Sequence, residues 1–412
     1  MGIFRRSRDA PRERRSVPSR LEEFIRGADI DYMGSGGGRV DEFTAMQTSA
    51  VYACVKILSE SIASLPLILC KEGKDGNVER ATQHPLYSCL YALPNEETTS
   101  FEFRETMMAS LLLWGNAYAR IIKDKSGHVC ELWYLKPEMM TVERDSLTKR
   151  IKYTYSDDVS NKTYTYAPEQ VFHVKGLSYD GVKGISPIGQ MREAVGLALA
   201  TEEYGSKFFS NGARPGGVLE HPGVLKDPDK IRESWNKVYQ GTKNSHKIAV
   251  LEEGMKYHTI GIAPEDAQFL QTRKYQVNEI CRIFRIPPHM VGDLDRATFS
   301  NIEHQSIEFV QHTLRPWAVR WEQEISRSLL SEEERLLYFA RFNLNGLMRG
   351  DYKSRMEGYA IGRQNGWMSI NDIRVLEDMN KIPAEKGGDD YLVNGNMITA
   401  DKPNKKEAKK EE

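Results

Sequence analysis

The chain has 412 residues, a formal net charge of −1 and 28% charged residues. That length exceeds one compact core and points to two or three sub-domains, while the near-neutral balance excludes a chain that grips nucleic acid over its whole surface. The five cysteines, Cys54, Cys70, Cys89, Cys130 and Cys281, are odd in number and contain no CxxC pair, which argues against a disulfide framework or zinc site and for buried, reduced thiols.

Residues 1–40 read as a disordered basic arm and a Gly-rich linker, "GSGGG". The arm lacks the apolar core of a signal peptide, and Arg6 stands where a myristoylation motif wants Ser or Thr. The stretch "EFTAMQTSAVYACVKILSESIASLP" places Met46, Val51, Cys54, Val55, Ile57, Leu58, Ile62 and Leu65 on helical spacing, and Pro66 stops it. "LPLILCKE" reads as a strand and "GKDGN" as a turn. A second helix is predicted over 101–114, capped by Thr99 or Ser100. "AYARIIKD" and "VCELWYL" form a predicted hairpin, and two or three Tyr-, Thr- and Val-rich strands follow up to 175.

Ser186 and Pro187 then open a helix over 187–211, closed by Asn211-Gly212. At 1.5 Å per residue it is about 38 Å long. A compact stretch at 213–262 holds the strand "GGVLE", a helix around "PDKIRESWNKVYQG" and a tight turn at "LEEGM". Another helix spans 264–285, with Leu270, Val277, Ile280, Cys281 and Phe284 as a stripe that wants a partner helix. A small domain is thus carried between two long helices. After the loop "RIPPHMVGDLDRATFSNIEHQ" comes a helix over 301–330, where Pro316 predicts a kink. A strand "LLYFARFNL" and helices at 350–364 and 369–379 complete the pattern, with Asn371-Asp372 as the cap of the last. The C-terminal run is a solvated charged tail. No apolar run reaches the ~18 residues of a membrane span.

Motifs for chemistry are weak. "VFHVKGLSYDGVKGIS" puts Gly176 and Gly181 five apart after a strand, but Val182 stands where a phosphate loop needs its Lys, so a turn-rich connection is expected. No GxSxG or HExxH is present, the His residues lack ligand spacing, and no metal or cofactor is implied. His289, Asp293, Asp295 and Arg296 could be imagined as acid, base and anion clamp, but a solvated loop does not shift pKa values as such work requires.

Several blocks in order resemble the portal proteins of tailed double-stranded DNA phages of the lambda-like long-tailed type: "SAVYACVKILSESIASLPL", "FEFRETMMASLLLWGNAYA", "FFSNGARPGGVL", "VLEEGMKY", "EDAQFLQTRKYQVNEICRIFRIPPHMVGD", "ATFSNIEHQ", "TLRPW" and "GLMRGD". The resemblance covers about residues 40–395. It implies an α+β portal fold: wing at 41–186, stem helices at 187–212 and 263–286 around a clip at 213–262, tunnel loop at 287–300, wing helix and strand at 301–347, helical crown at 348–382 and a flexible tail at 383–412. It also implies a non-enzymatic ring, typically of twelve subunits, at one capsid vertex of the virion, assembled in the host cytoplasm. Double-stranded DNA passes through it during packaging and ejection. The implied partners are the terminase large subunit, then the head-tail adaptor, with the major capsid protein and scaffold, and no membrane.

The implied tunnel-loop residues are Asp293, Asp295, Arg296, Thr298, Ser300 and Asn301, and the stem channel candidates are Arg273, Lys274, Arg282 and Arg285. Two Asp against one Arg leave the loop acidic. Repeated around a ring, that charge would centre DNA rather than bind it, within a screening length of ~8 Å. A ring-shaped DNA clamp or other assembly scaffold is the rival reading, favoured by the basic residues of 264–285. A hydrolase built on His289, Asp293 and Asp295 is the third.

Overall fold

The computed structural model describes residues 40–73, 78–210, 217–224, 227–239, 251, 254–259, 266–294, 299–344, 352–377 and 379–392. Two compact units divide the chain: residues 1–297 with 311–342, and residues 298–310 with 343–412.

In the first unit, α1 (Glu42–Ala45) and α2 (Ser49–Ser64) replace the single predicted helix, because Asp41 and Thr44 close a capping box around the short first turn. Met46, counted in the predicted stripe, falls instead in the turn between them. Helix α2 buries Val51, Cys54, Val55, Leu58 and Ile62 at helical spacing. After β1 (Leu67–Glu72) and β2 (Val78–Arg80) comes α3 (Pro85–Tyr91), which the apolar pattern is too short to reveal. Its N-cap is His84, whose Nδ1 accepts from the Leu86 N–H at 3.1 Å. Helix α4 (Ser100–Trp114) starts at Thr99, paired with Glu102 in a capping box, and packs against α2. Its buried Arg104 donates to the Leu65 carbonyl at 2.6 Å, at the C-terminal end of α2, where a cation offsets the helix dipole. Burial lowers that guanidinium to about 10.

Strands β3 (Asn116–Lys123), β4 (Val129–Leu135) and β8 (Val171–Lys175) form one antiparallel sheet in the order β4-β3-β8. Strands β5 (Met140–Arg144), β6 (Ile151–Asp157) and β7 (Lys162–Tyr166) form a second in chain order. Strand β5 was not among the predicted strands. The two sheets share a core of Tyr118, Leu135, Met140, Tyr153, Tyr155, Tyr166 and Val171.

The predicted helix at 301–330 is three segments. Helix α9 (Phe299–Glu308) belongs to the second unit. A π segment spans Phe309–Leu314, and α10 (Arg315–Leu329) follows in the first unit. Pro316 sits in the first turn of α10, directly after the π segment. A proline has no N–H to complete the preceding turn, and a wider turn is a common way to absorb that loss. Helix α10 lays Ala318, Trp321, Ile325 and Leu329 against β8 and β11 (Tyr338–Phe342). Trp321 meets Phe172 and Phe342 edge-on, at 5.9 and 6.5 Å between ring centres. Strand β11 pairs antiparallel with β1, so the start and end of this unit share one sheet, ordered β11-β1-β2. In the second unit, α11 (Tyr352–Gln364) and α12 (Ile370–Leu376) are joined by a turn. The cap of α12 is Ser369, boxed with Asp372, and not Asn371. Asn371 is buried and donates to the Ile382 carbonyl at 2.8 Å.

Four cysteines are buried as free thiols, but Cys130 is exposed on β4, a correction to the expectation for all five.

The Gly-rich connection at 176–184 is a backbone joint. Gly176 N–H donates to the Gly115 carbonyl at 2.8 Å. A Cβ on Gly184 would lie 2.0 Å from that same oxygen, and one on Gly115, at φ +74°, would lie 2.0 Å from the Ile185 carbonyl. Asn116 locks the joint: its Oδ1 accepts from Gly184 N–H at 2.7 Å and its Nδ2 donates to the Gly184 carbonyl at 2.8 Å. The same Oδ1 accepts from His173 Nε2 at 3.0 Å, so His173 Nδ1 is the acceptor for the Tyr153 hydroxyl at 3.1 Å. Lys183, the only basic residue after Gly181 in that stretch, donates its backbone N–H to Asp180, and the loop is a turn around the Asp180 side chain.

Two outcomes follow. Gly184→Ala lowers the urea midpoint by more than Gly176→Ala, because the latter's Cβ meets Gly115 at 3.1 Å rather than 2.0 Å; the larger loss should exceed about 2 kcal/mol. Burial holds the His173 ring well below its ordinary 6.5. The unfolded chain therefore takes up the proton first, and stability falls as pH drops below 6.5 toward the depressed folded value. His173→Gln should flatten that part of a pH–stability curve measured by thermal unfolding.

Candidate functional site

The predicted helix at 187–211 divides into α5 (Pro187–Gln190) and α6 (Arg192–Ser210), with Met191 at φ −109° and ψ 26° between them. The first turn follows the joint: Ser186 Oγ accepts from Gly189 N–H at 2.9 Å while donating to the Leu113 carbonyl at 2.6 Å. Helix α6 then follows its partner instead. That partner is α8 (Asp266–Phe284), reached through β9 (Gly217–Glu220), α7 (Pro228–Tyr239) and β10 (Lys256–Thr259). Strands β9 and β10 pair antiparallel, with Gly217 opposite Thr259, and Trp235 of α7 stacks on Tyr257. Asn211 and Gly212, the predicted stop, lie outside the described residues, as do Glu252 and Glu253 of "LEEGM".

The stripe on α8 finds the partner it wanted. Ile280, Cys281 and Phe284 are buried. Gln276, four residues before Ile280, is buried with them and donates Nε2 to Thr201 Oγ1 at 2.8 Å on α6. Sequence reading passed over Gln276 because it is polar, although its spacing put it on the buried face. Cys281 meets Cys54 of α2, and that hydrogen bond together with burial pushes the Cys54 thiol far above its ordinary value.

The predicted basic residues have different fates. Arg273 and Arg282 are exposed, and Arg282 lies 5.8 Å from the Tyr275 ring centre. Lys274 pairs with Asp293 at 3.6 Å. Arg285 terminates α8 in the left-handed region at φ 56°. The Ile286 N–H donates to the Cys281 carbonyl at 2.9 Å and the Arg285 N–H to the Arg282 carbonyl at 3.2 Å, the Schellman pattern that usually recruits glycine. Thr313, from the π segment, donates its hydroxyl to the Arg285 carbonyl at 2.6 Å.

The loop itself folds back. Pro288–Val291 is a 3₁₀ turn, Gly292 takes φ 91°, and the Asp293 N–H donates to the Pro288 carbonyl at 3.1 Å. The Asp293 carboxylate accepts from Asn278 Nδ2 at 3.4 Å, in addition to its contact with Lys274. Its charge is therefore matched from α8. His289 is half-buried in the 3₁₀ turn. Among the described residues no group of three His, Cys, Asp or Glu could hold a metal ion. Asp295, Arg296 and Thr298 lie outside the described residues, and Ser300 and Asn301 fall in the first turn of α9. Among the described residues no helix is long and apolar enough to cross a membrane.

Comparison with known proteins gives a consistent picture. The family model described as "Phage portal protein" matches residues 49–378. A probable portal protein of Streptomyces phage phiC31 is 36% identical over 90% of this chain and 82% of its own length. The portal protein of Enterobacteria phage HK97 is 32% identical over 86% and 83%. A solved chain from the neck of a native gene transfer agent particle, determined with C12 symmetry, has the same fold at a TM-score of 0.55, with 22% identity over 89% of this chain and 99% of that one.

The helix termination yields a measurable outcome. A side chain in the left-handed region costs roughly 1 kcal/mol against glycine, so Arg285→Gly should raise the unfolding midpoint. Thr313→Val should lower it by about 1 kcal/mol through the lost hydrogen bond.

Proposed function

This chain belongs to the phage portal protein family, and on that footing we propose that copies of it form a ring at one capsid vertex, through which double-stranded DNA enters during packaging and leaves at ejection. The observation that carries the reading is the helix pair α6 and α8 with a small β9-α7-β10 unit at its far end, rooted in the wing-like sheets by the glycine joint. In this reading α6 and α8 are the stem, 213–262 the clip, 287–300 the tunnel loop and 348–382 the crown. The clip presents the docking face for the terminase motor and later for the head-tail adaptor. The ring is of twelve, as in the symmetry of the neck to which the fold is similar. The chain acts as a conduit in the virion, without catalysis of its own.

A conduit must not grip. Strong phosphate contacts would make DNA stick. With Asp293 matched by Lys274, the charge of the loop toward DNA is carried by Asp295 against Arg296. The clamp reading asks for a free basic lining, yet Lys274 is engaged with Asp293.

Electron microscopy of the purified full chain tests the reading: rings with a central channel are expected, and a compact monomer would refute it. In a packaging assay, Asp295→Lys should slow DNA uptake. Unchanged rates in that variant would remove the charge argument and leave the ring.

A further inference from the structure

The five thiols of this chain differ in what they face. Cys89 and Cys130 each give their S–H to a carbonyl oxygen, that of Pro94 at 3.8 Å and that of Ile122 at 3.4 Å. Cys54 and Cys281 face one another, with a hydrogen bond running between the two sulfurs from α2 to α8. Both are closed off from solvent, at 0% and 1% exposure. They sit where α2 packs against α8, with Val51, Val55 and Leu58 buried on one helix and Ile280 and Phe284 on the other. Both helices belong to the first unit.

The position of Cys281 gives this pair leverage. It lies in the last turn of α8, and its carbonyl accepts the Ile286 N–H at 2.9 Å, a bond that closes the helix. The 3₁₀ turn that follows, Pro288–Val291, packs against α2 as well. A covalent bond between the two sulfurs would fix the end of α8, and the start of the loop after it, to α2.

A single buried thiol is inert, but a facing pair carries its own resolving sulfur. The hydrogen bond also makes the two unequal. It raises the Cys54 thiol, with burial adding to the rise, and lowers Cys281. The Asp293 carboxylate opposes that ionisation, and Lys274 offsets part of its charge. Cys281 is therefore the sulfur that ionises first.

We propose that Cys54 and Cys281 form a redox site, which an oxidant of the hydroperoxide class closes into a reversible disulfide pinning the last turn of α8 to α2. The Cys281 thiolate attacks the peroxide O–O bond and takes one oxygen as a sulfenic acid. The other oxygen leaves with the Cys281 proton, as water from hydrogen peroxide. The Cys54 sulfur then attacks the Cys281 sulfur. The S–O bond breaks, and hydroxide leaves as a second water with the Cys54 proton. Each sulfur gives up one electron and the peroxide takes both. Hydrogen peroxide is little larger than water, so fraying of the last turn of α8 beside the exposed Arg282 is enough to admit it. In a reducing compartment the pair stays as thiols, and outside one it closes.

Peptide mapping tests the site. The full chain carrying Cys130→Ser, which removes the exposed thiol, is treated with hydrogen peroxide under native conditions. It is then unfolded in an alkylating agent and digested with trypsin without reduction. The peptide ending at Lys56 should appear joined to the one ending at Arg282, and dithiothreitol should separate them. The thermal midpoint of the treated chain should rise by roughly 5 °C and fall back on reduction. Recovery of both cysteines as separate alkylated thiols would overturn the site. So would a sulfinic acid on Cys281 with Cys54 still free. The order of attack has its own readout. After peroxide and unfolding in dimedone, a reagent for sulfenic acids, Cys54→Ser should carry the label on Cys281, while Cys281→Ser should leave Cys54 unlabelled. The reverse pattern would overturn the assignment of Cys281 as the attacking sulfur.

Discussion

The meeting of three backbones at Gly115, Gly176 and Gly184 is the constraint on which the rest of the molecule depends. Helix α4 ends at Gly115, β8 ends at Gly176, and the connection to α5 starts at Gly184. A single methyl on Gly115 or Gly184 would strike a backbone carbonyl at 2.0 Å. Close backbone approach removes the slack that a connecting segment normally has. Asn116 adds two hydrogen bonds to Gly184, and His173 and Tyr153 tie Asn116 back into the sheets. The long helices therefore leave the sheet unit from a fixed point. A helix pair carried on a sheet unit needs such a root, because a flexible one would let the pair wander.

From that root the helix pair is specified by few contacts. Gln276 sets its level, and a buried polar contact of this sort costs stability when slipped because its donors would be left unpaired. The far end of α8 is held just as specifically. Arg285 adopts the left-handed conformation, the Asp293 carboxylate returns to Lys274 and Asn278, and Thr313 reaches across to the last turn. Three sequence segments, α8, the loop after it and the π segment, are thus joined at one place.

Much of this was legible in the residues. The helix at 100–114, the hairpin at 116–135, the strand at 67–72 and the helix at 266–284 all carry local signals, from capping boxes and apolar spacing to turn residues. What escaped reading is non-local. The pairing of β11 with β1 joins residues at opposite ends of the unit, and no spacing within either strand announces it. The π segment depends on what the helix packs against on each side of Pro316, which the proline alone does not reveal. Asp293 looked free because its partners, Lys274 and Asn278, lie in the preceding helix and meet it only after the chain turns at Gly292. Glycines at 176 and 184 were read as turn formers. Their role is close packing against a third glycine about sixty residues earlier, a relation with no signature in a local pattern.

The loop that looks most like an active site is thereby explained without chemistry. A catalytic carboxylate has to be held apart from cations so that its pKa can rise, or aimed at a substrate in a closed pocket. Asp293 has the opposite setting: an ammonium and an amide donor lie against it beside a helix. His289 is engaged in the 3₁₀ turn that ends α8. The polar richness of 285–305 follows from its position, since a segment that leaves one helix, reverses and starts another must satisfy many backbone groups in a short span. Pro287 and Pro288 stop the first helix, Gly292 reverses the chain, and the side chains nearest the turn are used to fasten it.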